Sequence, residues 1–311
     1  MKYQHVESVY LRVVALDKTK VTIGVVVKNC ENTLPDAVNS IIKQDFLHEL
    51  TEVLFVDDGS EDATLAVINM YLPKMPMRSR VFHHDWRGLG YSRNVVVKNA
   101  KGEYIIWIDG DMSIPIDFVS QQVEFMDRNP NVGIAKARYG IKQSASLVAY
   151  LQNIEALVEL IDTKQRSLSR PLGTGGSIYR VEAIRKVGGF DHKLTGVGED
   201  MDVEYRIGLS GWLLRVTMAE FYEKRRNNWK DLLKEYLWHG AGGRSIFNKV
   251  DPHSMLYRMF PPTMFVTLIS RSCQAYKITS NKVVFVLPLQ WIFKRTAWLL
   301  GFTMNIPRAS N

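Results

Sequence analysis

Gly102–Asp111 reads GEYIIWIDGD, and its interpretation decides the fold. Tyr104–Ile108 is an unbroken β-branched and aromatic run between Gly102 and Gly110, the pattern of a buried strand. It ends at Asp109-Gly110-Asp111, so two carboxylates stand where the strand leaves the core. The same arrangement occurs upstream, where Val53–Val56 runs into Asp57-Asp58-Gly59-Ser60, and Val21–Val27 is an earlier apolar run. Amphipathic stretches lie between these runs. Thr33 opens a helix, with Asp36 three residues on completing a capping box, and Ser60 caps a second helix. A short strand near Arg80–His83 and a loop holding Gly88 and Gly90 lead to a helix around Ser92–Ala100. Alternation of this kind predicts βαβ units in a mostly parallel, Rossmann-like α/β sheet flanked by helices.

Further along, Asp117–Arg128 and Ser146–Arg166 read as helices and Val132–Ala137 as a strand. Beyond Pro171 glycine recurs at 173, 175, 176, 188, 189, 196 and 198, and then comes Glu199-Asp200-Met201-Asp202. Trp212–Met218 reads as a last strand and Trp229–Trp238 as a helix. The expected division is a catalytic domain over 1–250 and a basic helical region over 251–311.

Charge is unevenly spread. Residues 252–311 carry seven Lys/Arg and no Asp or Glu, which leaves 33 basic against 32 acidic residues in 1–251. A nucleic-acid protein would spread positive charge over its reading face, so no nucleic-acid partner is expected. Cys30 and Cys273 form no disulfide framework and no CxxC metal motif. Glu7, Arg12 and Asp17 interrupt the N-terminal segment, so it reads as no signal peptide and a cytoplasmic location is expected.

Ligands of open α/β sheets sit beyond the carboxyl ends of the strands, where both acid clusters fall. Asp and Gly are also ordinary turn formers. Two such clusters, each behind an apolar strand, favour a site over a pair of turns. Crowded carboxylates repel one another unless a cation lies between them. Mg²⁺ or Mn²⁺, which take one or two carboxylates together with phosphate oxygens and waters, suit Asp109 and Asp111.

The ordered set of motifs resembles the inverting glycosyltransferases of family 2, which have the GT-A fold. It comprises Asn29 with Thr33-Leu34, VDDGS at Val56–Ser60, Gly88 with Arg93-Asn94, and GEYIIWIDGD. It continues through GTGGSIYR at Gly173–Arg180, VGGFD at Val187–Asp191 and GEDMDVEYRI at Gly198–Ile207. The resemblance implies that Asp58, with Asp57, accepts a hydrogen bond from the donor's base, and that Val26, Lys28 and Asn29 line the nucleotide pocket. It implies that Asp109 and Asp111 form the DxD that meets ribose and metal-bound diphosphate, that Gly88 belongs to the nucleotide-sugar site, and that Gly175 and Gly176 pass close to the donor sugar or acceptor. Arg93 would face the phosphates; a surface or ion-paired arginine is the other reading. Asp200, beside Glu199, would be the general base for a single inverting displacement. Its place in the first turn of a helix also suits an acid structurally.

Three departures stand out. Lys28 occupies the place of an aromatic residue that often stacks on the base. Glu223 stands where a metal-binding His is common. No Gln-x-x-Arg-Trp motif is present, which argues against a processive synthase. His239 is a candidate acceptor contact.

The tail has three apolar runs, Met259–Ser270, Val283–Phe293 and Thr296–Pro307, none reaching ~20 uninterrupted residues. Helices lying on an anionic membrane, with Lys and Arg snorkelling to the headgroups, are one reading. Packing on the body or a homo-oligomer contact is the other. For the whole chain the expected activity is sugar transfer from a UDP-, GDP- or dTDP-sugar to a glycan or lipid-linked acceptor at the inner face of the membrane. A polyprenyl-phosphate sugar synthase, a catalytically silent sugar-nucleotide-binding subunit and a nucleotidyltransferase are the rivals. The last usually has a glycine-rich loop after the first strand, where this chain has Lys28-Asn29-Cys30-Glu31.

Overall fold

The structure is a computed structural model that describes residues 19–140, 146–163, 172–246 and 265–304. Four strands form its parallel half: β1 (Val21–Val27), β2 (Thr51–Asp58), β3 (Arg78–His84) and β4 (Tyr104–Trp107). Four more extend it: β5 (Met112–Ser113), β6 (Val132–Tyr139), β7 (Ser177–Arg180) and β8 (Leu213–Glu223). The sheet order is β3-β2-β1-β4-β7-β6-β8-β5. The first four strands and the β6/β8 pair are parallel, while β7 runs antiparallel to both β4 and β6. The chain moves outward from β1 to β2 and β3, then returns to the other side of β1 as β4. That reversal opens a crevice at the carboxyl ends of β1 and β4, where such sheets bind ligands.

The helices are α1 (Leu34–Ile42), α2 (Thr64–Tyr71), α3 (Leu89–Asn99), α4 (Phe118–Arg128) and α5 (Leu147–Thr163). They continue as α6 (Val181–Lys186), α7 (Glu199–Leu209), α8 (Trp229–Ile246), α9 (Phe265–Thr279) and α10 (Leu287–Thr303). Both faces of the sheet are covered. Ile23, Val25 and Val27 of β1 pack with Leu34, Val38 and Ile41 of α1, Ile68 of α2 and Phe118 of α4. Val26, Leu54 and Trp107 pack on the other face with Val96 of α3, Ile184 of α6 and Val203 of α7. Alternation along each strand divides the apolar residues between the two layers. The fold is the expected mostly parallel α/β sheet flanked by helices.

Two predicted caps do not form. The Thr33 hydroxyl donates to the Cys30 carbonyl, and α1 starts at Leu34 with Pro35 in its first turn, so no capping box exists. The Ser60 hydroxyl donates to Asp57, four residues ahead of α2, whose first N–H donates to Asp62 instead. In both places a nearer acceptor captures the side chain.

The C-terminal helices differ most from expectation. Lys282–Thr303 is one continuous helical stretch, long and apolar enough to cross a membrane by length and composition, although Lys294 and Arg295 interrupt its apolar runs. Its inner face is packed on protein. A Cβ on Gly301 would lie 2.0 Å from the Leu237 carbonyl, and one on Gly240 2.0 Å from that of Trp298, so only glycine allows α8 and α10 to approach this closely. Lys294 does not snorkel: it is buried and paired with Glu155 of α5, which removes the cost of an isolated interior charge. Residues 1–18, the end of Ser146–Arg166, the start of the Met259–Ser270 run, and Arg258 and Arg308 lie outside the described residues.

Candidate active site

The loops after β1 and β2 are tied together at the crevice. The Asn29 N–H donates to the Ser60 hydroxyl at 3.0 Å, and the Glu61 N–H donates to the Asn29 side chain at 2.9 Å. The Cys30 N–H donates to Thr64 at 2.8 Å, and burial pushes the Cys30 thiol up to about 12, which keeps it inert. Val26 does not line the pocket through its side chain. That side chain is 8% exposed and belongs to the core, as strand alternation requires, while Lys28 and Asn29 reach the surface.

Asp57 and Asp58 are interior residues, 0% and 3% exposed. Asp57 accepts from the N–H and hydroxyl of Ser60 and from His83 Nδ1 at 2.8 Å. Asp58 accepts from the N–H of Arg87 at 2.8 Å and of Gly88 at 3.0 Å. Both carboxylates are thus engaged by protein donors and brace the loops around the pocket.

Asp109 is different, with 40% of its side chain exposed at the mouth of the crevice. Asp111 lies beside Glu223, because Met112 pairs with Glu223 across β5 and β8. Burial first, then the charges of Glu223 and Asp109, push the Asp111 carboxyl up to about 7. Glu223 is itself paired with Arg225 at 3.0 Å. Among the described residues no three His, Cys, Asp or Glu side chains form a ready cage for an ion. Two adjacent, mutually repelling carboxylates suit a hard divalent ion that takes its other ligands from phosphate and water.

The Gly-rich segment 173–176 joins this centre to α7. A Cβ on Gly175 would lie 2.4 Å from Asp109 Oδ2, and one on Gly173 would lie 3.7 Å from Asp200 Oδ2. Two residues span at most about 7 Å, so Asp109 and Asp200 flank the same short piece of backbone. Gly176 takes no part in this. Its N–H donates to the Trp107 carbonyl at 2.9 Å and its missing Cβ faces Phe221, so it is built into the sheet rather than the pocket.

Two residues unnoticed in the sequence hold the segment. Lys136, inside the strand VGIAKARY and almost fully buried, donates to the carbonyls of Gly173 and Gly175. Burial lowers its ammonium, against the opposing pull of Asp109 and Glu204. Glu204, one helical turn after Asp200, accepts from the N–H groups of Leu172 and Gly173, both at 2.7 Å. Burial pushes its carboxyl up to about 8. Both were findable in principle: a lone lysine inside a strand, and an acid four residues from the candidate base.

Arg93 takes the ion-paired alternative: its guanidinium is buried and paired with Glu199, and it lies 3.9 Å from Asp109. Glu199 is 2% exposed, and burial raises its carboxyl against the opposing pull of Arg93. Glu199 thus ties α7 to α3 and is unavailable as a base, while Asp200 next to it is only half-buried. Gly88 closes the same corner, its missing Cβ facing the Thr195 backbone ahead of α7. Asp202 pairs with Arg206 within the helix at 2.7 Å. His239 lies between the rings of Tyr236 and Trp238, and burial lowers its imidazole.

A mixed sheet of this order, with carboxylates gathered at its switch point, defines a class of fold, the GT-A type. The chain belongs to glycosyl transferase family 2, which it matches over residues 22–188, more than half its length. It is 33% identical over 101 residues to the poly(ribitol-phosphate) β-N-acetylglucosaminyltransferase TarS of Staphylococcus aureus, a match covering 32% of this chain and 18% of that protein. A poly-β-1,6-N-acetyl-D-glucosamine synthase of Staphylococcus epidermidis is 23% identical over 248 residues, covering 76% of this chain and 55% of the relative. The matches thus span well under two thirds of these relatives' lengths. Among solved structures, the mannosyltransferase PcManGT of Pyrobaculum calidifontis, in complex with GDP-Man and Mn²⁺, superposes with a TM-score of 0.64 at 17% identity, covering 91% of this chain and 86% of that one. TarS 1–349 in complex with UDP-GlcNAc superposes with a TM-score of 0.51 at 18% identity, covering 90% of each chain. Both likenesses concern the fold.

Proposed function

We propose that the chain transfers a hexosyl group, with inversion, from a nucleoside-diphosphate sugar to a hydroxyl of a glycan or lipid-linked acceptor. The observation that carries this is the bracketing of the 173–175 backbone by Asp109 on one side and Asp200 on the other. Asp200 takes the proton of the acceptor hydroxyl as that oxygen bonds to the anomeric carbon. The bond from that carbon to the β-phosphate oxygen breaks, and the nucleoside diphosphate leaves. A Mn²⁺ or Mg²⁺ ion held by Asp109 and Asp111 would neutralise the diphosphate as it departs. Lys136 and Glu204 keep the 173–175 segment in place, and the Arg93–Glu199 pair holds the start of α7, so the base sits on rigid elements.

The test is a donor-hydrolysis panel of UDP-, GDP- and dTDP-sugars with Mn²⁺ or Mg²⁺. One donor should be preferred, and both a chelator and Asp111→Asn should abolish its turnover. Activity indifferent to the chelator would rule out the metal assignment.

We further propose that α9 and α10 seat the enzyme on an anionic membrane surface. Among the described residues, nine of nineteen exposed large hydrophobics fall within 265–304. Leu289, Ile292 and Leu300 line the outer face of α10 at helical spacing, and the exposed Lys277 and Lys282 lie where the two helices meet. The tail's acid-free composition complements anionic headgroups. Flotation with phosphatidylserine-containing vesicles should be lost in a Leu289→Asp/Ile292→Asp variant. Undiminished flotation, or a dimer in place of vesicle binding, would count against the membrane.

A further inference from the structure

We propose that Trp86 is the stacking platform for the donor's nucleobase, and that Lys28 covers its face until the base arrives. The inference rests on the nucleotide-sugar reading and adds a nucleobase-binding residue to it. Trp86 follows β3, the strand furthest from the crevice in the β3-β2-β1-β4 order, yet Lys28 Nζ at the end of β1 lies 5.6 Å from its ring centroid. The indole therefore reaches across the end of β2, over the loop that the buried Asp57 and Asp58 brace. It is 41% exposed, so a large aromatic surface is held at the pocket mouth with a cation, not a packed core, against one side.

Its placement is fixed from behind. Asp58 accepts the N–H groups of the next two residues, Arg87 and Gly88. Gly59, at φ +71°, lies so close that a Cβ there would be 2.5 Å from the Trp86 nitrogen. A buried carboxylate and a glycine thus fix the backbone that carries this partly exposed indole. A planar ligand uses such a surface well. An indole face attracts a cation, and it also stacks on a base, which is planar and polarisable. The nucleobase of a nucleoside diphosphate fits that chemistry, with its diphosphate directed towards Asp109 and Asp111. Displaced from the ring, the Lys28 ammonium is left beside the base's carbonyl oxygens.

The test is calorimetric titration of the full chain, with Mn²⁺ present, using UDP, GDP and inorganic pyrophosphate. Trp86→Ala should weaken the preferred nucleoside diphosphate by roughly 5- to 150-fold, the range for loss of one base–aromatic stack. Trp86→Phe should retain most of that affinity, and pyrophosphate should bind all three proteins alike. Unchanged nucleotide affinity in Trp86→Ala would overturn the platform. So would a parallel loss of pyrophosphate binding, which would mark a purely structural residue. Wild type that binds pyrophosphate as tightly as either nucleotide would overturn base stacking while leaving the metal and diphosphate reading intact. Wild type that binds none of the three would overturn the proposed function itself.

Discussion

Two acid pairs end two neighbouring regions of the sheet, and they have opposite fates. Asp57 and Asp58, at the end of β2, are buried and surrounded by N–H and O–H donors. Asp109 and Asp111, past the end of β4, are left with exposure at one residue and like-charge crowding at the other. A carboxylate held by protein donors braces structure, whereas the exposed Asp109 and the crowded Asp111 are the ones proposed to meet a ligand. The contrast recurs on α7, where Glu199 is ion-paired inside the protein and Asp200 stands at the pocket.

The largest effect that would sharpen this contrast is on rate. Asp200→Asn should lower kcat by about 10²- to 10⁴-fold, the usual worth of a general base, with Tm nearly unchanged. A parallel fall in Tm would place Asp200 among the structural acids. Arg93→Ala should act the other way, leaving Glu199 as an unpartnered interior charge. Urea unfolding should register a loss of about 3–5 kcal/mol, and an Arg93→Met/Glu199→Gln double variant should recover much of it. Next, Asp58→Ala strands the N–H groups of Arg87 and Gly88 and should cost roughly 2–3 kcal/mol. Asp109→Ala should leave stability within about 0.5 kcal/mol, as at an ordinary surface position. Equal losses at the two sites would break the comparison.

The smallest effect is a pH slope. Glu204 is raised by burial from 4.5 to about 8. Between those values the unfolded chain has released a proton that the folded chain retains, so this group's contribution to stability declines as pH rises from 4.5 to 8. Tm measured at pH 5, 6.5 and 8 should fall less steeply in Glu204→Gln than in wild type.

The switch-point crevice and the Asp109–Asp111 pair were legible because each depends on local sequence: an apolar strand, then acids beside a glycine. The direction in which Arg93 points was not. It follows from Glu199, 106 residues away, and nothing in the helix pattern of Leu89–Asn99 marks it. Lys294 misled for the same reason. A lysine breaks a hydropathy run, yet a carboxylate 139 residues distant lets it enter the interior. Ser60 has the residue type of a helix cap, but Asp57 is nearer than the helix. Trp86 lies in a loop with no periodicity, so only the three-dimensional crossing over β2 brings it to Lys28.

The most direct test of the central claim is anomalous diffraction at the manganese edge from crystals grown with Mn²⁺ and the preferred nucleoside diphosphate. The account predicts one peak between the Asp109 and Asp111 carboxylates and the diphosphate, with Asp200 facing the same cavity across the 173–175 backbone. Nucleotide bound with no manganese at those carboxylates, or manganese bound elsewhere, would contradict it.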